Sequence, residues 1–509
     1  MSTLLTRQLV ILVLVAGVLT ACVPITPPPG RQPAAFGPEA TACGDAFAVA
    51  EQAVRAAGVM DTEAARIPGY PHLRVNRFLA SFRAEVHGEG YHFWLRELQA
   101  LATQGWGVEL RNLPSPQGEE LQRRVQGMVA SQAPTLAILR QCGDQQLQAG
   151  LTAERDQGLI DRAQVGDNYE TWARWLGLYP LTAWAFKIGI DQWQARTQAT
   201  FHTPRERLPL SGQLLRYAPA PGQEGADATQ VGAILQRAAA NPLGIPLPTA
   251  AEQQLLFDRY APLWEIDVKG DDDRIGYPFL LANNRPRVDT GTPTVFQHLS
   301  HTRVGARILL QLNYTIWFPA RPKSSLFDLL GGELDGITWR VTLLANGLPW
   351  MFDAIHNCGC YHLFFPTHYA GSSGREGGFA ENSFQPQPPL VSARVVRPVV
   401  RIAATTHYIE RVYAIPSRVG WVIPYHLVDA DELRSLPVPN GQRHSLFGQD
   451  GIVVGTERSE RYLFWPAGIR APGAMRQWGH HATAFVGRRH FDDARLFEEQ
   501  FTILTDPLP

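Results

Sequence analysis

Apolar residues recur at helical spacing through the first third of the chain. Ala46, Phe47, Val49, Ala50, Ala53 and Val54 fall about one turn apart, and Gly58 stands where such a helix should stop. Segments around Tyr91 to Thr103, Gly118 to Cys142 and Asn168 to Thr200 read the same way. The last carries Trp172, Trp175, Trp184 and Trp193, an aromatic cluster that the pattern assigns to core packing rather than to a ligand. Residues 41–205 therefore predict a helical domain. Residues 206–254, punctuated by Pro209, Pro219, Pro221, Pro242, Pro246 and Pro248, read as an irregular connector around one short helix near Ala228 to Ala240.

Beyond residue 255 the period changes to two. Ile308, Leu310, Leu312, Tyr314, Ile316 and Phe318 form one face of a strand, with Gln311, Asn313 and Thr315 expected to look out from the other. Ile337 to Leu344 and Leu348 to Ile355 read as two more strands. Asn346 and Gly347 between them match the dipeptide of a tight type I′ hairpin. Residues 255–430 are expected to form a mainly antiparallel β-rich domain, and residues 431–509 a mixed region packing back on it. The expected class is α+β, helical first and β-rich after.

Composition narrows the partners. A 509-residue chain with 45% hydrophobic residues can bury sizeable cores, and its formal charge of −1 comes without a long run of either sign. Nucleic acid is excluded as a partner, because phosphate binding needs a concentrated basic face.

The amino terminus points to a membrane. Arg7 precedes the apolar run Leu9 to Leu19, which is shorter than the roughly 20 residues of a transmembrane helix but fits a signal peptide. Leu19, Thr20, Ala21 and Cys22 follow, and this stretch resembles the lipobox of bacterial lipoproteins. The resemblance covers residues 1–22. It implies removal of residues 1–21 and lipidation of Cys22, with enough acyl chains for a stable membrane anchor. Val23 stands where an inner-membrane retention signal would place Asp, which in a Gram-negative cell implies the outer membrane. Residues 22–40, with five prolines from Val23 to Pro33, read as an extended tether.

An exported chain meets conditions that permit disulfides. Cys43, Cys142, Cys358 and Cys360 remain after Cys22, and four cysteines allow three pairings. Cys43 with Cys142 is the favoured pair, since both lie in the helical region.

The segment that departs from ordinary core sequence runs from His356 to His362. His356, Cys358, Cys360 and His362 alternate with Asn357, Gly359 and Tyr361, so an unbroken strand would face all four one way. These are ligand types for zinc or another transition metal. A strand rises about 3.3 Å per residue, however, which puts the outer histidines roughly 20 Å apart, too far for one ion. A turn at Gly359 would bring two or three members together. A fourth ligand would then come from His368, or from His298 and His301, which share one side if Gln297 to His301 is helical.

Three uses of the segment stay open: metal ligation, a strained and reducible Cys358–Cys360 pair, or a structural role. Cys358 as a nucleophile with His356 or His362 as base is a further variant. His356, Asn357 and Cys358 faintly resemble the His-Gly-Cys step of envelope L,D-transpeptidases. The Ser before and the Arg after that step are missing, so the activity is not carried over. The acidic run Asp267 to Asp273 lacks the spacing of an EF-hand loop, and the glycine-rich run Gly371 to Gly378 lacks the end of a phosphate loop. Neither Gly-x-Ser-x-Gly nor His-Glu-x-x-His occurs. Two functions follow: a non-catalytic envelope lipoprotein with envelope protein partners, or a metal- or thiol-dependent envelope enzyme centred on His356 to His362.

Overall fold

The computed structural model describes residues 38–152, 155–222, 225–325, 328–374, 378–390, 397–414 and 422–504; Cys22, the lipobox and the tether lie outside the described residues. Helix α1 (Pro38–Ala57) ends where the sequence predicts, with Gly58 at φ 70° accepting the left-handed position that closes it. It buries Phe47, Ala50 and Val54 against Ala102 and Trp106 of α2 (Gly88–Asn112). The stretch read as one helix from Gly118 to Cys142 is two, α3 (Ser115–Val129) and α4 (Thr135–Thr152). The chain turns at Ala130, whose φ is 50°, and Pro134 precedes the restart. Cys43 on α1 and Cys142 on α4 stand at disulfide distance, with Cα atoms 5.3 Å apart.

A two-stranded hairpin, β1 (Ala65–Ile67) and β2 (Tyr70–Val75), is set among these helices. Next come α5 (Thr171–Leu176), α6 (Tyr179–His202), α7 (Ala228–Ala238) and α8 (Ala250–Tyr260). Asp227 with Gln230 and Thr249 with Glu252 form capping boxes that start α7 and α8.

The protein is α+β, its helices mostly N-terminal and its large sheet in the later part. That sheet has ten strands. In chain order they are β3 (Gln213–Pro219), β4 (Leu263–Val268), β5 (Thr294–Val304), β6 (Arg307–Arg321), β7 (Gly332–Leu343), β8 (Pro349–His356), β9 (Leu363–Pro366), β10 (Pro398–Ile402), β11 (Ile409–Ala414) and β12 (Ile423–Asp429). In space they run β9-β8-β7-β6-β5-β12-β3-β4-β10-β11. Pairing is antiparallel except where β12 meets β5 and β3, and where β10 meets β4. Strand β12 splices the halves, pairing first with Tyr217–Pro219 of β3 and then with Thr294–Gln297 of β5. The proline-rich connector thus contributes β3, a strand that its turn residues hid.

Both faces of the sheet are covered, and this corrects the half-buried strand expected at β6. Leu310, Leu312, Tyr314, Ile316 and Phe318 do share one face, packed in the core with α7, α8 and part of α6. Gln311 and Asn313 on the other face are also buried, at 2% and 0% exposure, beneath the C-terminal region. A row of side chains bonds them, leaving only Asn313 Oδ1 of this row buried without a partner. Asn313 donates to Ser300 Oγ at 2.9 Å, Ser300 donates to Gln311 Oε1 at 3.0 Å, and Gln311 donates to Thr342 Oγ1 at 3.2 Å. The β7–β8 hairpin forms as expected, but Gly347 alone takes positive φ, at 81°, and its N–H bonds Leu344 O at 2.8 Å. The loop is therefore not type I′, which needs positive φ at both central residues.

Ala42–Pro509 forms one compact unit. A buried ion network joins its early and late segments: Arg434 pairs with Asp61 at 2.7 Å, and Arg74 pairs with Glu109 at 2.7 Å and Asp61 at 3.6 Å.

Candidate functional site

The segment from His356 to His362 is the loop between β8 and β9, since Ala354 pairs with Leu363 across it. It is a turn, not a strand. Gly359 takes φ 91° and its N–H bonds His356 O at 2.7 Å, while Tyr361 takes φ 60°. Only glycine fits at 359, because a Cβ there would come within 2.5 Å of Ala482 O. His356 N–H bonds Cys360 O at 3.0 Å, closing the bend.

The bend turns the two histidines to separate carboxylates, while His362 still lines one cavity with both thiols. His362 Nε2 meets Asp353 Oδ2 at 2.8 Å, and Asp353 is clasped at both oxygens by Arg340, at 2.9 and 2.5 Å. Burial works to raise the Asp353 carboxyl, but Arg340 and His362 outweigh it and hold it below the ordinary carboxylate range. Burial pushes His362 down to about 4, so its ring is neutral at pH 7, and its Nδ1 is buried without a hydrogen-bond partner. His356 faces Asp335 at 3.6 Å. Asp335 also takes His407 Nδ1 at 2.8 Å, and His407 Nε2 lies 3.3 Å from Asp273. The two cysteines are free, Cys358 buried and Cys360 partly exposed. A hydrogen bond with Cys358, aided by burial, holds the Cys360 thiol well above its ordinary value. Arg476 donates from Nε to Cys358 O at 3.1 Å, fixing the loop from below.

The loop floors a cavity of about 610 Å³. The opposite wall is α6, which presents Ala185, Phe186, Gly189, Ile190 and Trp193, one stripe at helical spacing. Trp193 packs on Tyr361 at 5.2 Å and on Phe384 at 5.5 Å, while Phe186 meets Phe464 and Phe485 at 5.9 and 6.1 Å. The lining is largely apolar; its charged and thiol groups at the loop side are Cys358, Cys360, His362, Glu381, Glu460 and Arg489, and α6 adds Gln194 and Arg196 at its far end. Burial raises Glu460 to about 7, so this carboxyl is only partly charged at neutral pH.

His298 and His301 lie elsewhere. They sit on strand β5, not on a helix. His298 packs at a tilt on Trp478 at 4.6 Å. His301 stacks on Phe78 at 4.9 Å and meets Pro246 O at 2.7 Å. Both line a separate polar cleft of about 220 Å³ with Glu63, Asp429, Asp431 and Asp492. Burial lowers both imidazoles to about 4 and raises Glu63 to about 8.

The expected metal set is therefore not assembled: His356 and His362 face different carboxylates, Cys358 and Cys360 stay together, and His298 and His301 belong to another cleft. Among the described residues no group of three or more His, Cys, Asp or Glu is placed to hold a metal ion. The tryptophans also depart from expectation. Trp193 walls the cavity, whereas Trp172, Trp175 and Trp184 are exposed, at 60%, 72% and 62%. The α6 stripe that lines the cavity was visible in the sequence as helical spacing but reads there as core. Glu63, Trp478 and Glu460 carry no sequence signal that sets them apart. No protein-family model matches this chain, and no curated protein or solved structure matches it either.

Proposed function

We propose that the protein is a lipid-anchored envelope lipoprotein, held to the membrane through Cys22 and, in a Gram-negative cell, to the outer membrane. Its body binds an apolar or amphiphilic molecule between α6 and the Cys358–Cys360 loop without transforming it. The observation that carries this reading is the cavity of about 610 Å³, within the roughly 300–1,000 Å³ usual for small-molecule sites, apolar along α6 from Ala185 to Trp193 and polar at the Cys358–Cys360 loop and at Gln194 and Arg196. An apolar tail would lie along α6, and a polar head would meet Arg489, Glu381 or His362.

A thiol-dependent enzyme is the second reading, favoured by one observation: His362, oriented by Asp353, lines the same cavity as both thiols. Against it, Cys360 is held in the thiol form, which is not the nucleophilic one.

Titration with a naturally fluorescent polyene fatty acid separates the two. Binding saturates at one probe per chain, and Gly189→Leu weakens it at least tenfold without lowering Tm, because a Cβ at Gly189 meets nothing within 4 Å and the longer side chain fills the cavity. Binding that is unsaturable, or indifferent to Gly189→Leu, contradicts the proposal. Loss of a turnover with Cys358→Ser and Cys360→Ser in a folded protein would establish the enzyme instead.

A further inference from the structure

Helix α6 is apolar on two sides. Its inner stripe lines the cavity, and its outer side, with α5, exposes Trp172, Trp175, Leu176, Leu181, Trp184 and Ile188, each between 57% and 72% accessible. The first half of α6, Tyr179 to Phe186, is apolar on nearly every side, and such a stretch is ordinarily buried all round, so it calls for a second covering that the described residues do not supply. The patch is extended by the turn Arg461–Ala467, which packs beside α5 and α6 and exposes Tyr462 at 68% and Leu463 at 55%. Phe379 adds to it, stacked on Trp184 at 4.6 Å. At roughly 60–70% of about 250 Å² each, the three indoles alone expose on the order of 450 Å². With the leucines and Ile188, the ridge exceeds the roughly 300–600 Å² of the largest patch on a typical monomer.

We propose that this ridge seats in the interfacial layer of a lipid bilayer, and that the cavity behind α6 takes the acyl chain of a lipid drawn from that bilayer. The proposal rests on the binding reading above and names its ligand.

Three features favour lipid over a protein partner or a second copy. Thr171 to Phe186 holds one charged side chain, Arg174, and it is turned inward. Its Nε donates to Ala467 O at 2.7 Å, Nη2 donates to Gly487 O at 2.6 Å, and its guanidinium lies over the rings of Tyr169 and Tyr179. Specific protein interfaces carry a polar, hydrogen-bonding rim, whereas the ridge from Thr171 to Phe186 turns no charge outward; at its edges Arg461 donates to Tyr462 Oη at 2.9 Å and Lys187 is paired with Asp191 at 2.5 Å. Its residue types, tryptophan and tyrosine with leucine, are those that settle at the membrane–water boundary.

The second feature is continuity, since one helix separates the ridge from the cavity, and a chain leaving the bilayer has only α6 to pass. The third is the expected anchor. Sixteen residues separate Cys22 from Pro38, a reach of about 50 Å when extended, so a body tethered there stays within range of the membrane. No helix among the described residues is long and apolar enough to cross a membrane, so the ridge lies on the bilayer rather than through it.

The test uses the chain from Val23 onward, which lacks the acylation step, with phosphatidylcholine vesicles with and without phosphatidylglycerol. It is compared with the variant Trp172→Ser, Trp175→Ser, Trp184→Ser. The expected result is that the unchanged chain sediments with both kinds of vesicle at any salt concentration and takes up a fluorescent phospholipid from them. The variant loses at least tenfold in both and still binds the free fatty-acid probe in solution. Equal sedimentation of the two chains, or uptake that does not slow in the variant, overturns the proposal. So does an unchanged chain that forms a dimer by light scattering, which the variant dissolves, and ignores vesicles. Failure of the free probe to bind the unchanged chain is a different result: it removes the cavity reading, and vesicle sedimentation then decides the ridge alone.

Discussion

Gly359 shows how one residue makes the site. Its φ of 91° bends the β8–β9 loop so that Cys358 and Cys360 line the cavity while His356 and His362 turn to separate carboxylates. Gly359→Ala is expected to cost about 1–3 kcal/mol in chemical denaturation, from the positive φ and the clash with Ala482 O, and to weaken probe binding with it. Asp353 bears two partners in a site with no solvent. Asp353→Ala leaves Arg340 buried without its carboxylate, an expected loss of about 3–5 kcal/mol by the same measurement.

Glu63 predicts a pH dependence. Its folded value of about 8 lies above the ordinary 4.5, so between those two the folded chain holds a proton that the unfolded chain has released. Its contribution to stability therefore falls as pH rises from 4.5 to 8, and that of Glu460, at about 7, falls with it, whereas His298, His301 and His362, lowered to about 4, act in the opposite direction below about 6.5. Glu63→Gln should flatten that slope in denaturation curves taken across this window. An unchanged slope would mean that Glu63 ionises normally.

At the scale of elements, α1 and α4 are held by the Cys43–Cys142 pair, whose sequence separation is 99. Cys43→Ser with Cys142→Ser is expected to cost up to about 4–5 kcal/mol on the chain-entropy model, and reductant should reproduce the loss. Much of this layer is legible in the sequence. The spacing from Ala46 to Val54 with Gly58 marks α1, and the alternation from Ile308 to Phe318 marks β6. The illegible parts have physical reasons. Gln311 and Asn313 look like a solvent face, yet they are buried and bonded to Ser300 and Thr342 inside, which an alternating pattern cannot reveal.

His298 and His301 lie in Thr294–Val304, whose spacing suits a helix as well as a strand until β6 pairs with it. Trp184 and Trp193, on one helix, differ only in which side they face, and helical spacing does not say what lies on each side. The cavity depends on three segments far apart in sequence, α6, the β8–β9 loop and Arg461–Phe485, so no local pattern announces it.

The whole molecule joins these parts into one unit from Ala42 onward, in which the C-terminal region covers one face of the large sheet and the helices the other. Two of its cavities are chemically opposed. The cleft at His298 is polar and acid-rich, while the cavity behind α6 is largely apolar and opens beside the tryptophan ridge. A molecule that is partly lipid fits the second and is repelled by the first. The measurement that tests this most directly is organic extraction and mass spectrometry of the chain from Val23, purified without detergent, beside Gly189→Leu. The account predicts close to one acyl lipid per chain in the unchanged protein and little in the variant; an unchanged protein that carries no lipid, or a variant that carries as much, would contradict it.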